Sequence, residues 1–335
     1  MNLIRPLRLR AAGMLLVVVG AVFAVAAPAL AHNGTGGSSS DYRITITGYS
    51  GDPTGVSLHV VQLGDRVELT REGANVVFVL GYEGEQYLRL DRDGVWENTN
   101  SPAFYLNADR FAATQPPAGI TKSSTAKWSK LSTGNSVRWH DHRAHYMSTT
   151  PPDAVTRNPD QVQLVHSDHI DMTIDGRAVG ADIDVSWLPK PERLNWMVAA
   201  SVLGALVTAG PVLVPSLRRV IPVLAIVAGL ASMLGQGAAV APFVIGGVII
   251  SVAIAAALLA KPIVSMIAAV GAGALASMRL EVFEHELLAG WLPSVWQRLV
   301  IVVALALGFG IAASGLVTAL SPTPVVASKE PDRVE

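Results

Sequence analysis

Residues 179–196 read Val179-Gly180-Ala181-Asp182-Ile183-Asp184-Val185-Ser186-Trp187-Leu188-Pro189-Lys190-Pro191-Glu192-Arg193-Leu194-Asn195-Trp196, and two kinds of protein meet inside them. Up to Trp187 the stretch reads as a strand that a hairpin turn at Asp175-Gly176 introduces. Leu188-Pro189-Lys190-Pro191 is a stiff linker. Beyond Trp196 the chain is mostly Ala, Val, Leu, Ile and Gly, the composition of membrane helices. Of the 335 residues 50% are apolar and only 15% charged, and both figures become more extreme once the chain is divided here. The net charge of −1 hides the division: residues 32–195 hold 20 Asp and Glu against 15 Lys and Arg, which argues against nucleic acid as a partner.

At the amino terminus Arg5, Arg8 and Arg10 precede an apolar run from Ala11 to Pro28, and Ala29-Leu30-Ala31 gives a small-x-small cleavage pattern. Residues 1–31 therefore read as a signal peptide whose removal exposes His32. A mature terminal histidine can chelate a metal through its α-amine and ring Nδ1. If the apolar run stays as an anchor instead, that amine does not exist. Cysteine is absent from the sequence, so an exported domain is held by its core or by metal rather than by disulfides.

Residues 32–188 carry short runs with strand character. Tyr42–Thr47 and Val56–Val61 alternate, and Asp65–Thr70, Asn75–Leu80, Tyr87–Leu90 and Val95-Trp96 follow, separated by turn signals. Residues 101–107 read as a segment lying against the sheet, and the chain from Gln115 through Lys130 as an extended loop. The expected fold is an all-β exported sandwich, cupredoxin-like or immunoglobulin-like, joined by a linker at 189–195 to an α-helical membrane domain at 196–321. A disordered cytoplasmic tail at 322–335 closes the chain. Five spans can be drawn, at about 196–217, 220–235, 238–260, 262–278 and 299–321, the second and fourth short for a bilayer of about 30 Å. With the β domain outside, Arg218, Arg219 and Lys261 fall on the cytoplasmic side and the loop 279–298 outside. The spans carry almost no ionisable side chains, and Gly271-Ala272-Gly273-Ala274 suits close helix packing.

Chemistry concentrates in Trp139-His140-Asp141-His142-Arg143-Ala144-His145-Tyr146-Met147, which holds three of the eight histidines. On a strand His140 and His142 share a face, and a turn after Arg143 returns His145 to them. Imidazoles without thiolates suit copper or zinc, with Asp141 and Asp168 as carboxylates that orient ligating rings. The plain alternative is a histidine-rich segment that only hydrogen-bonds its neighbours. Glu281, Glu284 and His285 form a second candidate ligand set in the outer loop, with Glu281 and His285 four apart on one helix face. His166 and His169 read as turn residues flanking Ser167-Asp168, and His59 as a satisfied strand residue.

A signal peptide that frees His32, an all-β exported domain, the His140-x-His142 pair and attached helices resemble two copper systems. One is the periplasmic copper-binding proteins of the CopC type with their CopD-type membrane partners; the other is the copper site of the particulate methane monooxygenase B subunit. The resemblance is one of arrangement. It implies a copper site in which His32 takes the terminal role and His140 and His142 the paired role, with His145 outside the pattern.

The expected function is thus a membrane-anchored copper-binding protein of the bacterial plasma membrane. It would hold Cu(II), with zinc as the other ion its ligands suit, or pass copper to an oxidase or other copper-handling partner. Two alternatives stand beside it: a non-metal structural or assembly protein of the envelope, and a copper-dependent oxidative enzyme subunit. Phosphate-binding glycine loops in strand-to-helix context, a Gly-x-Ser-x-Gly elbow and a His-Glu-x-x-His motif are all missing from the sequence, so nucleotide and hydrolase readings have no support.

Overall fold

The structure, a computed structural model, describes residues 39–236 and 240–320. The signal peptide expected at 1–31, His32 and the tail at 322–335 lie outside those residues. Two compact units divide the chain. One comprises Ala31–Pro191 together with Glu281–Ser294, and the other includes Glu192–Leu280 and the chain from Val295 onward.

The first unit is built of antiparallel strands: β1 (Ser39–Ser40), β2 (Tyr42–Ser50), β3 (Val56–Val61), β4 (Arg66–Arg71), β5 (Val77–Leu80), β6 (Gln86–Asp91), β7 (Gly94–Asn98), β8 (Trp128–Ser132), β9 (Ser136–Trp139), β10 (Gln163–Ile174), β11 (Arg177–Trp187) and β12 (Leu287–Leu288). Seven form a sheet in the order β2-β11-β10-β5-β6-β7-β8, and three form another in the order β3-β4-β9. Alternation explains the layering. Val67 and Leu69 of β4 are buried with Val137 and Trp139 of β9, and they meet Val79, Leu88, Leu90, Ile170, Met172 and Ile183 of the larger sheet in one core. This is the sandwich-like arrangement the strand spacing predicts.

The β10–β11 hairpin turns on two residues with positive φ, Asp175 at 50° and Gly176 at 80°, with Ile174 opposite Arg177. Those angles match the twist of the flanking strands. Asp175 also accepts a hydrogen bond from Val76 N at 2.8 Å, tying the turn to β5.

Three local expectations change. The loop expected through Lys130 ends earlier: its residues 128–130 belong to the edge strand β8, Trp128–Ser132. His166 and His169, expected in a turn, lie inside the 12-residue strand β10, which has a bulge between Leu164 and His166. The histidine strand ends at Trp139. Between β7 and β8 the chain forms a short helix α1 (Pro102–Leu106), capped by Ser101 Oγ accepting from Ala103 N, and then runs irregularly to β8. A second short helix, α2 (Asp153–Arg157), precedes β10.

The second unit holds α3 (Arg193–Leu213), α4 (Ile221–Leu234), α5 (Val240–Leu258), α6 (Pro262–Ser277) and α7 (Ser294–Leu320). Among the described residues four helical stretches are long and apolar enough to cross a membrane: 193–213, 215–234, 241–258 and 294–320. The 3-10 turn Pro215–Val220 lengthens the second of these beyond α4 itself. Helix α6 is shorter. Glycine sets one helix crossing: a Cβ on Gly308 of α7 would lie 2.7 Å from Ala269 O and from the backbone of Gly273 in α6. Ala268, Ala269 and Ala272 pack there with Leu307 and Ile311, as a small-residue interface requires.

Candidate functional site

The histidine run leaves the sheet because of a buried ion pair. Asp141, 1% exposed, accepts from Trp139 Nε1 at 2.8 Å, from Arg143 N at 3.1 Å, and from Arg143 Nε and Nη2 at 2.9 and 2.8 Å. To bring a guanidinium two residues ahead onto its own carboxylate, the backbone curls into a 3-10 turn, His142–Ala144. Burial pushes the Asp141 carboxyl up, but Arg143 and the Trp139 N–H outweigh it and hold it below the ordinary carboxylate range. Arg143 Nη2 also donates to Leu80 O at 3.1 Å, and His142 N donates to Tyr82 Oη at 3.0 Å. Tyr82 Oη in turn bonds Asn107 Oδ1.

That curl brings the three imidazoles together. Ring centroids are 4.1 Å apart for His140 and His145, 5.1 Å for His140 and His142, and 5.4 Å for His142 and His145. Each ring is aimed at backbone. His140 Nδ1 lies 2.6 Å from Asp65 O, His142 Nε2 lies 3.0 Å from Asp109 O, and His145 places Nε2 3.1 Å from Arg110 O and Nδ1 3.2 Å from Asp141 O. A neutral imidazole has one N–H, so His145 donates to one of its two carbonyls at a time. Burial first, and then the neighbouring His140, push His145 down to about 4; burial likewise lowers His140. His140 and His145 are therefore neutral at pH 7, and the three rings act as staples on the backbone at Asp65, Asp109 and Arg110, holding it against the sandwich.

This arrangement corrects the metal expectation. Among the described residues no group of three or more His, Asp or Glu side chains is placed to hold a metal ion. The rings pack at 56° to 74° to one another, and each has a nitrogen within hydrogen-bond distance of a main-chain carbonyl. Copper sequestration or transfer, the zinc variant and the copper-dependent oxidative enzyme subunit are set aside with it. Asp141 spends its carboxylate on Arg143 and Trp139 rather than on an imidazole. Asp168, on β10, accepts from His169 N at 2.8 Å. His59 is exposed and bonds Ser57 Oγ at 2.8 Å.

The second set is likewise reorganised. Residues Leu280–Phe283 form a 3-10 turn, so Glu281 and His285 do not share an α-helical face. His285 Nδ1 instead donates to Asp41 Oδ2 at 2.9 Å, and Glu286 N donates to Asp41 Oδ1 at 2.9 Å. Asp41 is buried and also has Lys190 Nζ at 3.6 Å. β1 pairs with β12 beside this contact, and the segment 281–294 is thereby built into the β unit.

The staples frame a cleft of about 720 Å³ between the two sheets, with Tyr87, Phe104, Phe111, Leu131, Arg110 and His140 on its walls. Its cations are answered internally: Arg110 Nη1 donates to Asp65 Oδ1 at 2.9 Å, and Arg138 Nε to Glu68 Oε1 at 2.8 Å. Asp109 accepts from the N–H groups of Phe111, Ala113 and Thr114, which hold its carboxyl at about 2. Partial burial raises the Glu97 carboxyl on the same wall. Phe111 and Leu131 are 51% and 47% exposed at the rim. Sequence reading had no route to Asp65, Asp109 and Arg110 as partners of the histidines, because the atoms involved are main-chain carbonyls.

Protein-family models, curated proteins and solved structures give no match to this chain. What it shares with the copper systems is the general plan of a β-rich region followed by apolar helices.

Proposed function

We propose that the chain is a structural or assembly protein of a bacterial cell envelope. Its apolar helices anchor it in the plasma membrane, and the β unit stands outside the cytoplasm as a docking module rather than a catalytic one. The observation that carries this reading is the use of the histidines, whose ring nitrogens are directed at the carbonyls of Asp65, Asp109, Arg110 and Asp141 and shape the wall of a cleft. A rim of exposed Phe111 and Leu131, framed by arginines already paired with carboxylates, is the kind of surface a protein partner engages: an apolar centre with a satisfied polar border. The strands at its border, β8 and β9, each end their sheet, so backbone pairing with an extended segment is open to such a partner.

The test is site-specific photo-cross-linking in living cells, with a benzophenone amino acid placed at Leu131, at Phe111 and, as a control, at Tyr49 on the opposite edge strand β2. A discrete protein adduct at 131 and 111, missing at 49, is the expected result. Equal adduct patterns at all three positions, or none at 131 and 111, refute the docking reading.

A further inference from the structure

The end of the β unit from which the linker leaves carries a second cavity, of about 520 Å³, and its lining is mostly apolar. Pro151, Val155, Pro159 and Trp187 form the walls, and Lys190 stands at the mouth with 54% of its side chain exposed. Trp187 is fixed in place: its Nε1 donates to Pro159 O at 2.8 Å, and its ring packs edge-on against Tyr42 with centroids 5.3 Å apart. Asp160 and Asp41 are the carboxylates near the mouth; Asp41 is already occupied by His285 and Glu286 N, and Lys190 is its most distant partner.

This end of the β unit lies close along the chain to the apolar helices. Lys190 precedes Arg193, the first residue of α3, by three positions, which is about 10 Å of extended chain at most. The inserted segment is tied at the same end: Leu287–Leu288 pairs with Ser39–Ser40, His285 bonds Asp41, and the segment runs directly into α7 at Ser294. Near this end large apolar side chains stand exposed among polar ones such as Thr156, Asn158 and Gln161. Val162 and Leu164, flanking the residue opposite Trp187, are 59% and 61% exposed, and Trp291 of the inserted segment is 61% exposed. A tryptophan at a membrane boundary, and a lysine whose stem lies on apolar surface while its amine reaches the headgroups, are both interfacial features.

We infer that this cavity binds an acyl chain of an envelope phospholipid, with the lipid phosphate at Lys190. The site is of ordinary small-ligand volume, the apolar lining matches hydrocarbon, and the single cation at its mouth matches the phosphate. This binding is separate from partner docking at the cleft, and either can hold without the other.

The experiment uses the full chain in liposomes of phosphatidylethanolamine and phosphatidylglycerol containing a trace of phosphatidylglycerol with a diazirine near the end of one acyl chain. After irradiation, adducts are mapped by peptide mass spectrometry. Labelling of residues 150–160 in addition to the apolar helices is expected. Thr156→Trp, a change at an exposed wall residue, should cut the 150–160 adducts at least fivefold and leave helix labelling unchanged. Lys190→Glu should reduce them severalfold. Absence of label in 150–160 while the helices are labelled overturns the inference. So does label there that Thr156→Trp leaves intact, since contact with the surface rather than entry into the cavity would then explain it.

Discussion

Acidification should open the histidine-stapled segment before it opens the sandwich. In the folded chain His145 titrates at about 4, against 6.5 for an exposed imidazole, because burial disfavours its charged form. Between those values the open segment binds more protons than the closed one, so closure is stabilised as pH rises. The contribution is fully present above pH 6.5, falls away as pH drops toward 4, and changes no further below that. At pH 4.5 the loss relative to pH 7.5 is on the order of 2–3 kcal/mol, a factor of roughly 50–100 in the opening equilibrium. The lowered His140 adds in the same direction. Hydrogen exchange read by mass spectrometry on the full chain in detergent, corrected for intrinsic rates, measures this directly. Amides of 107–115 and 141–146 should lose protection between pH 7.5 and 4.5, whereas those of the β10–β11 hairpin keep theirs. His145→Gln, which retains a donor but does not titrate, should remove most of the pH dependence. Protection of 107–115 that is flat across the range, or a slope unchanged in His145→Gln, would refute the argument.

Removing the Asp141 carboxylate with Asp141→Ala leaves the Arg143 guanidinium buried without its partner, and a loss of about 3–5 kcal/mol is expected, read as a lower denaturation midpoint by tryptophan fluorescence. Asp41→Ala takes away the acceptor for His285 Nδ1 and Glu286 N; amides of 284–290 should then exchange at least tenfold faster while the β3–β4 ladder is unaffected. Gly308→Leu drives a side chain into the backbone of α6, and a drop of several degrees in the melting temperature of the detergent-solubilised protein is expected, from overpacking of about 1–3 kcal/mol.

Much of the β unit was legible because its strands alternate. Val56–Val61 was read with the boundaries it has, and the Asp175-Gly176 hairpin was read from turn chemistry alone. Strand β8 escaped for a physical reason: as an edge strand it keeps Ser129, Lys130, Leu131 and Ser132 exposed, and so lacks the buried alternation that reveals a strand. The clustering of His140, His142 and His145 was legible from spacing, but its chemistry was misread. Imidazoles close in sequence suggest an ion, whereas here each satisfies a carbonyl on a distant backbone segment, and a carbonyl leaves no residue-type signature. Asp41 as the partner of His285 was beyond reach for a related reason, since the two lie 244 positions apart and neither stands in a motif.

The insertion of residues 281–294 into the β unit imposes a parity on the membrane path. A chain that departs from one folded body after Pro191 and rejoins it at Glu281 has to return to the side it left, so it makes an even number of passes in between. Three stretches in that interval, 193–213, 215–234 and 241–258, have full spanning length, and three is odd. The count closes only if α6, with its 16 residues, makes the fourth pass. Its alanines and glycines packed against α7 give a short helix protein rather than lipid as its neighbour over part of that depth. Helix α7, which follows the inserted segment, is the remaining stretch of spanning length among the described residues.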